Sequence, residues 1–316
     1  MNFSFMKAEI LQNSYTRIES YIHKTPILTS STLDSLFQCS LFFKCENFQK
    51  TGAFKARGAM NAVLSTPKEE HNKGFITHSS GNHGAALAYA ASKVGSKATI
   101  IMPNNAPIPK IESVKRYGGT IVFCEPTLQS REETMADIQH TTGATVIPPY
   151  NHQQVIEGQS TCAYELHQQV PNLDVVLAPI GGGGLMSGTA IVTSIFAPNA
   201  CIIGVEPFNA SDAYESLQTG TIQPPKSTTT IADGLRTSLG EITFPILQKH
   251  LKEIRLVKEE SIISAMKLIM ETLKIVIEPS AAVTIGALLE DASFVKGKKV
   301  GIIICGGNVD LTKLPF

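Results

Sequence analysis

Between residues 75 and 147 the chain alternates short apolar runs with helix-like runs, and that alternation restricts the fold more than any other feature. Phe75-Ile76-Thr77-His78, Ala98 to Met102, Thr120 to Cys124 and Ala144 to Ile147 read as strands. Gly84 to Val94, Ile108 to Tyr117 and Arg131 to Thr141 read as the helices between them. Short apolar strands joined by helices predict a small parallel sheet covered on both faces. The pattern resumes after residue 152. Strands are expected at Asp174 to Pro179, Cys201 to Val205, Ile254 to Val257 and Lys299 to Cys305. Helices are expected at Gly158 to Gln168, Leu185 to Ile195, Glu260 to Thr272 and Ala281 to Leu289. An amphipathic helix carrying Ile10, Leu11, Tyr15, Ile18 and Tyr21 precedes His23-Lys24-Thr25-Pro26, which stops it. Pro26 to Lys55 reads as short strands and turns, and Gln218 to Thr230 as a surface connection. The expected class is therefore α/β, with two open domains. Residues 1–74 and 152–316 form the large one, and 75–151 form a small one inserted into it. Ligands favour clefts between such units.

The composition supports a substantial core, with 43% hydrophobic and 17% charged residues. The 27 basic and 27 acidic residues cancel, and no basic run points to nucleic acid or an anionic membrane. No apolar run reaches transmembrane length. The first residues lack the basic-then-apolar pattern of a signal peptide. Six cysteines without a CxxC pair read as buried, reduced thiols, so a cytoplasmic protein is expected.

The strand-like run Leu41 to Cys45 leads into Gln49-Lys50-Thr51-Gly52-Ala53-Phe54-Lys55-Ala56-Arg57-Gly58-Ala59, and helix-like residues follow. A lysine at such a turn is usually solvated. Here Phe54 precedes Lys55 and small Ala56 follows it, so the amine could lie against a flat ring. Arg57-Gly58 opens a helix, where backbone N–H groups favour an anion. A desolvated lysine has a lowered pKa and forms Schiff bases with carbonyl cofactors. Four glycines, Gly181, Gly182, Gly183 and Gly184, stand between an apolar strand and a helix, where successive N–H groups can converge on a phosphate. Ser79-Ser80-Gly81-Asn82-His83-Gly84 occupies a similar strand-to-helix position. It reads both as a helix cap and as an anion site, the anion here being a substrate carboxylate.

These segments, with others from His23 to Leu311, resemble fold-type II pyridoxal-phosphate (PLP) enzymes, a tryptophan synthase β-like fold. The branch is that of serine racemases and serine/threonine dehydratases. The resemblance implies a cofactor in the interdomain cleft. It makes Lys55 the cofactor-bearing lysine, sets Phe54 beside the cofactor ring and assigns the phosphate to Gly181–Gly184. It assigns the 3-hydroxyl to Asn82 and the pyridine nitrogen to Cys305, where serine is more frequent in the family. A largely neutral thiol cannot hold that nitrogen protonated as a carboxylate would. Ser80 matches the racemase serine that faces the lysine from the other side of the cofactor. Ser79, Ser80, Asn82, His83, Arg131, Gly234 and Thr237 are the candidate substrate residues. Thr237 and Pro148 depart from the usual serine and histidine, and Glu278 matches a polar residue near the cleft.

By spacing alone, Glu206-Pro207-Phe208-Asn209-Ala210-Ser211-Asp212 reads as a turn with Asp212 capping a helix. The resemblance makes Glu206, Asp212 and the Ala210 carbonyl a site for Mg²⁺, or for Ca²⁺ or Mn²⁺. Ser30, Ser31, Lys50 and Thr51 resemble positions that contact ATP as an effector. The expectation is a homodimeric serine racemase with L-serine/L-threonine dehydratase activity, Lys55 and Ser80 being the two catalytic groups. The alternative is a serine/threonine or threo-3-hydroxyaspartate dehydratase without significant racemase activity. Ending at Phe316, the chain is not expected to carry a C-terminal regulatory domain. Two rivals are a β-replacement enzyme resembling cysteine synthases, whose lysine segment and Asn-Thr-Gly loop differ, and a non-catalytic amino-acid- or PLP-binding protein.

Overall fold

The computed structural model describes residues 7–79 and 81–316. The chain opens with α1 (Ala8–Ile18), whose Leu11 and Ile18 are buried. Then come β1 (Ile27–Leu28), α2 (Ser31–Phe37), β2 (Ser40–Cys45) and α3 (Lys55–Ser65). The helix α2 departs from the strands and turns expected there. Ser30 Oγ accepts the Leu33 N–H to cap it, and Leu33 and Phe37 bury its inner face. Also, α3 begins at Lys55 itself.

A compact run follows: β3 (Phe75–His78), α4 (Asn82–Lys93), β4 (Ala98–Pro103), α5 (Ile108–Arg116), β5 (Thr120–Cys124), α6 (Leu128–Thr142) and β6 (Thr145–Val146). Its four strands pair in parallel, in the order β5-β4-β3-β6. The remainder is α7 (Gln153–Gln169), β7 (Val175–Pro179), α8 (Gly184–Phe196), β8 (Cys201–Pro207), α9 (Asp212–Thr219), α10 (Thr243–His250), β9 (Glu253–Val257), α11 (Glu259–Leu273), α12 (Pro279–Glu290) and β10 (Lys299–Ile304). The second sheet has the order β1-β2-β10-β7-β8-β9, parallel except for β1 against β2.

The central strands are covered on both faces, β3 being buried from Phe75 to Thr77, whereas the edge strand β5 is not, with Phe123 exposed. All five residues of β7 are buried, and β10 is buried from Val300 onward. That explains why these strands read as continuous apolar runs rather than alternating ones. All six cysteines are free, but Cys201 is exposed and Cys124 half-buried, against the expectation of burial throughout. No helix among the described residues is long and apolar enough to cross a membrane.

The strand orders locate the site. In each sheet the chain moves outward on one side of a central strand and later returns to its other side, between β3 and β6 in one and between β7 and β10 in the other. At such reversals the loops leaving adjacent strands part and leave a crevice at the carboxyl ends. Residues 79–81, 147–152, 181–183 and 305–308 follow those four strands.

Candidate active site

Those loops enclose one cavity of about 570 Å³. It is lined by Phe54, Lys55, Ser79, Asn82 and His83, by Gly181 to Gly184, and by Arg131, Gly234, Thr237, Glu278 and Cys305. Every described residue singled out for the cofactor or substrate therefore borders one space. Ser80 lies outside the described residues. Sequence reasoning gave no role to Tyr150, Lys110 or Asp233, which also line the cavity.

Lys55 occupies the first turn of α3, against the Phe54 ring at 5.1 Å from Nζ. Its Nζ donates to the Pro149 carbonyl at 2.6 Å. Burial pushes its pKa down to about 8, opposed by the negative character of Cys305 and Glu278. The Phe54 N–H donates to the Cys305 carbonyl at 3.0 Å, which ties the lysine turn to the end of β10.

The glycine run is a cradle that side chains would fill. Gly183 has φ +85°, a left-handed conformation suited to glycine. A Cβ on Gly182 would run into the Tyr150 ring, and one on Gly181 would lie 2.8 Å from the Gly234 carbonyl. The run ends at the first residue of α8, so its N–H groups gather where the helix dipole is positive. A buried lysine with a lowered pKa, a flat aromatic neighbour and a glycine loop at a helix N-terminus on one cavity fit the cofactor that the resemblance implies.

Opposite, α4 starts at Asn82, and among the described residues no side chain caps its first N–H groups. Asn82 Nδ2 donates to both Glu278 oxygens at 3.0 Å, and Asn82 Oδ1 accepts from Asn308 Nδ2 at 2.9 Å. His83 is buried, and its Nε2 is 2.8 Å from the Ile147 carbonyl. A carbonyl only accepts, so that nitrogen carries the hydrogen and Nδ1 keeps a lone pair. Burial and then Lys55 push the His83 pKa down to about 3, so the ring is neutral. Arg131 Nε donates to the Thr127 carbonyl at 3.2 Å. Burial and then Arg131 lower the pKa of His78 nearby.

The carboxyl groups of Glu206, within β8, and Asp212, at the start of α9, are both buried. Glu206 accepts the N–H groups of Ala213 and Tyr214 at 3.0 Å each, so Glu206 rather than Asp212 caps α9. Asp212 is the first helical residue, and neither of its carboxylate oxygens has a hydrogen-bond partner. Burial raises both pKa values, that of Asp212 to about 7, and Asp212 raises Glu206 further. Among the described residues no cluster of three or more His, Cys, Asp or Glu side chains could hold a metal.

Comparison with known proteins places this geometry. The family model described as "Pyridoxal-phosphate dependent enzyme" matches residues 18–306. A beta-hydroxyaspartate dehydratase of Paracoccus denitrificans is 48% identical over 303 residues, 96% of each chain. A serine racemase of Dictyostelium discoideum is 47% identical over 308 residues, 96% of this chain and 95% of that one. The crystal structure of serine racemase from Dictyostelium discoideum superposes with a TM-score of 0.93 at 46% identity, covering 98% of this chain and 100% of that one. The chain belongs to the pyridoxal-phosphate dependent enzymes, with the fold of their fold-type II members.

Proposed function

We propose that the protein is a serine racemase with L-serine and L-threonine dehydratase activity, built from a small unit, 75–151, set into a large one, 1–74 and 152–316. The observation that carries the reading is the meeting of Lys55, the glycine cradle and the α4 N-terminus on one cavity. Lys55, Phe54, Asn82, Cys305 and Gly181 to Gly184 are the residues that would hold PLP. When bound there, it would supply the electron sink that makes the substrate's Cα proton acidic.

The chain's own residues do the rest. The N–H groups opening α4 and the Ser79 hydroxyl bind the substrate carboxylate, with Gly234 and Thr237 closing the far wall. Lys55 takes the Cα proton on Nζ. A pKa of about 8 leaves about one amine in ten unprotonated at pH 7, against a few in ten thousand for an ordinary lysine. Loss of the β-hydroxyl as water leaves an unsaturated amino acid, which after release takes up one water to give ammonia with pyruvate from serine, or with 2-oxobutyrate from threonine. Return of a proton to the opposite face gives the D-enantiomer, and Ser80 is the residue assigned to that face. Glu206, Asp212 and the Ala210 carbonyl would take Mg²⁺, Ca²⁺ or Mn²⁺, supported by the unpartnered Asp212 oxygens. Ser30, Ser31, Lys50 and Thr51 are kept for ATP as effector, and the protein is read as a homodimer in the cytoplasm.

One observation favours a second reading, a threo-3-hydroxyaspartate dehydratase. Arg131 lines the cavity, and among the described residues no carboxylate lies within ion-pair distance of it. A substrate with a second carboxylate would supply the partner. The test is to incubate pure protein with PLP, Mg²⁺ and either L-serine or threo-3-hydroxyaspartate. Keto acid, ammonia and D-serine are quantified, with Ser80→Ala and Arg131→Ala in parallel. The racemase reading expects pyruvate and D-serine from the wild type and pyruvate alone from Ser80→Ala. Keto acid from hydroxyaspartate only, with KM raised in Arg131→Ala, replaces it with the second reading.

A further inference from the structure

Glu278 is a buried carboxyl group that the reaction outlined above does not use. It stands just before α12, is 4% exposed and lines the cavity. Its Oε1 lies 3.8 Å from Cys305 Sγ, within hydrogen-bonding range for sulfur, and Cys305 is itself 2% exposed. On its other side both oxygens face Asn82 Nδ2. The charged and titratable groups around it come from every packed element: Lys55 on α3, Lys110 on α5, Asp233 on the loop before Leu235, and Cys305 after β10. Lys110 is engaged by Asp233, and Lys55 by the Pro149 carbonyl. No cation among the described residues is within ion-pair distance of Glu278. The chain also makes room for it, since a Cβ on Gly306 would lie 2.6 Å from Glu278 Oε1.

We propose that Glu278 is a positioning residue whose proton sets the direction of the Cys305 thiol. A protonated Glu278 has an O–H to donate to Sγ, and the thiol hydrogen is then free to point into the cavity. An ionised Glu278 has only acceptors, so the thiol hydrogen turns back to it and a sulfur lone pair faces the cavity. The exchange adds or removes one solvent proton and breaks no other bond. Burial is the main force raising the Glu278 pKa, with Asn82 opposing it, and the value of about 7 puts both states within the neutral range. Because Cys305 is the residue assigned to the cofactor's ring nitrogen, the inference rests on the reading above. It adds that Glu278 tunes the hydrogen bond offered to that nitrogen as pH changes.

The test is the infrared S–H stretch of Cys305, identified as the band lost in Cys305→Ser, followed through the neutral range in holoenzyme and in cofactor-free protein. The wild-type band is expected to shift with a midpoint near 7. Glu278→Gln, whose amide donates at every pH, is expected to hold it at its acid-limit position. A wild-type band that does not move across this range overturns the proposal even where Glu278→Gln fails to fold. An equal shift in Glu278→Gln also overturns it. The change in band position on loading PLP is read separately. Its absence counts against Cys305 facing the ring, whatever the pH titration shows.

Discussion

Two residues set what the site can do. Lys55 owes its lowered pKa to burial, since removing an ammonium from water favours the neutral amine, the form that the proposed chemistry needs. Borohydride reduction of the holoenzyme should therefore fix the cofactor on the peptide carrying Lys55, as read by mass spectrometry. Lys55→Ala should lose that adduct, together with at least about 10²-fold of the Cα-proton exchange rate. Labelling of any other lysine would sink the assignment. Gly182 is the second. Its missing Cβ is what lets the Tyr150 ring lie against the cradle. Gly182→Ala should cost about 1–3 kcal/mol through overpacking. Expressed at the site, that weakens PLP binding about tenfold or more, measurable by titrating apoprotein at constant fold content. Unchanged affinity would show that the ring moves aside without consequence. Both residues could be singled out in the sequence because each sits in a short local pattern, and both line the cavity. Tyr150 was not, because its contact with Gly182 joins segments that are distant in the chain.

At the scale of elements, α3 is held by a buried ion cluster that no local pattern announces. Arg57, two residues after Lys55, bonds Glu46 at 2.7 and 2.8 Å and Glu165 at 2.9 Å through both oxygens. Lys44 reaches the same Glu165 at 2.5 Å and the Thr25 carbonyl at 2.8 Å. Two cations and two anions, none more than 1% exposed, thus join β2, α3 and α7 next to the turn that carries Lys55. Burial alone would raise the Glu46 pKa, but Arg57 outweighs it and holds the carboxyl below the usual range. Removing one partner of such a cluster leaves an uncompensated buried charge, which costs about 3–5 kcal/mol. Glu165→Gln should show that loss in urea unfolding, and a change below about 1 kcal/mol would mean that water enters to replace the partner. The sequence could not show this cluster. Its members lie in three separate stretches, and charged residues ordinarily indicate surface. The one local sign was Lys44 inside the apolar run Leu41 to Cys45. The βα alternation was legible because buried parallel strands leave unbroken apolar runs. Two helices escaped for physical reasons. Ser31 to Phe37 is short and held by its Ser30 cap, and Thr243 to His250 carries Pro245 in its first turn, where proline is tolerated but reads as a breaker.

On the scale of the whole molecule, stability should record the acids that folding buries, and the sign can be fixed beforehand. Asp212 rises from an ordinary 3.8 to about 7, and Glu206 also rises, because burial disfavours their ionised forms. A carboxyl group with a raised folded pKa contributes most below its unfolded value and loses that contribution as pH climbs through the folded one. Metal-free protein should therefore lose stability between about pH 4 and pH 7, by on the order of a few kcal/mol for this pair. The buried neutral imidazoles act in the opposite sense. His83, held down to about 3, and His167, to about 4, favour the folded state above their unfolded value of 6.5 and lose that as pH falls. A divalent cation at the site proposed on Glu206 and Asp212 should change the alkaline side alone, because it would replace their missing counter-charge only once they ionise. Saturating Mg²⁺ at 100 times its Kd should add about 2.7 kcal/mol, seen as a Tm gain of a few degrees at pH 8 that shrinks toward pH 5. Asp212→Asn should remove the share of the alkaline slope that Asp212 contributes, leaving that of Glu206 and Glu278, and should remove the response to Mg²⁺. An equal Mg²⁺ response in that variant, or none in the wild type at either pH, would leave these two carboxyls as a buried acid pair whose only task is to start α9.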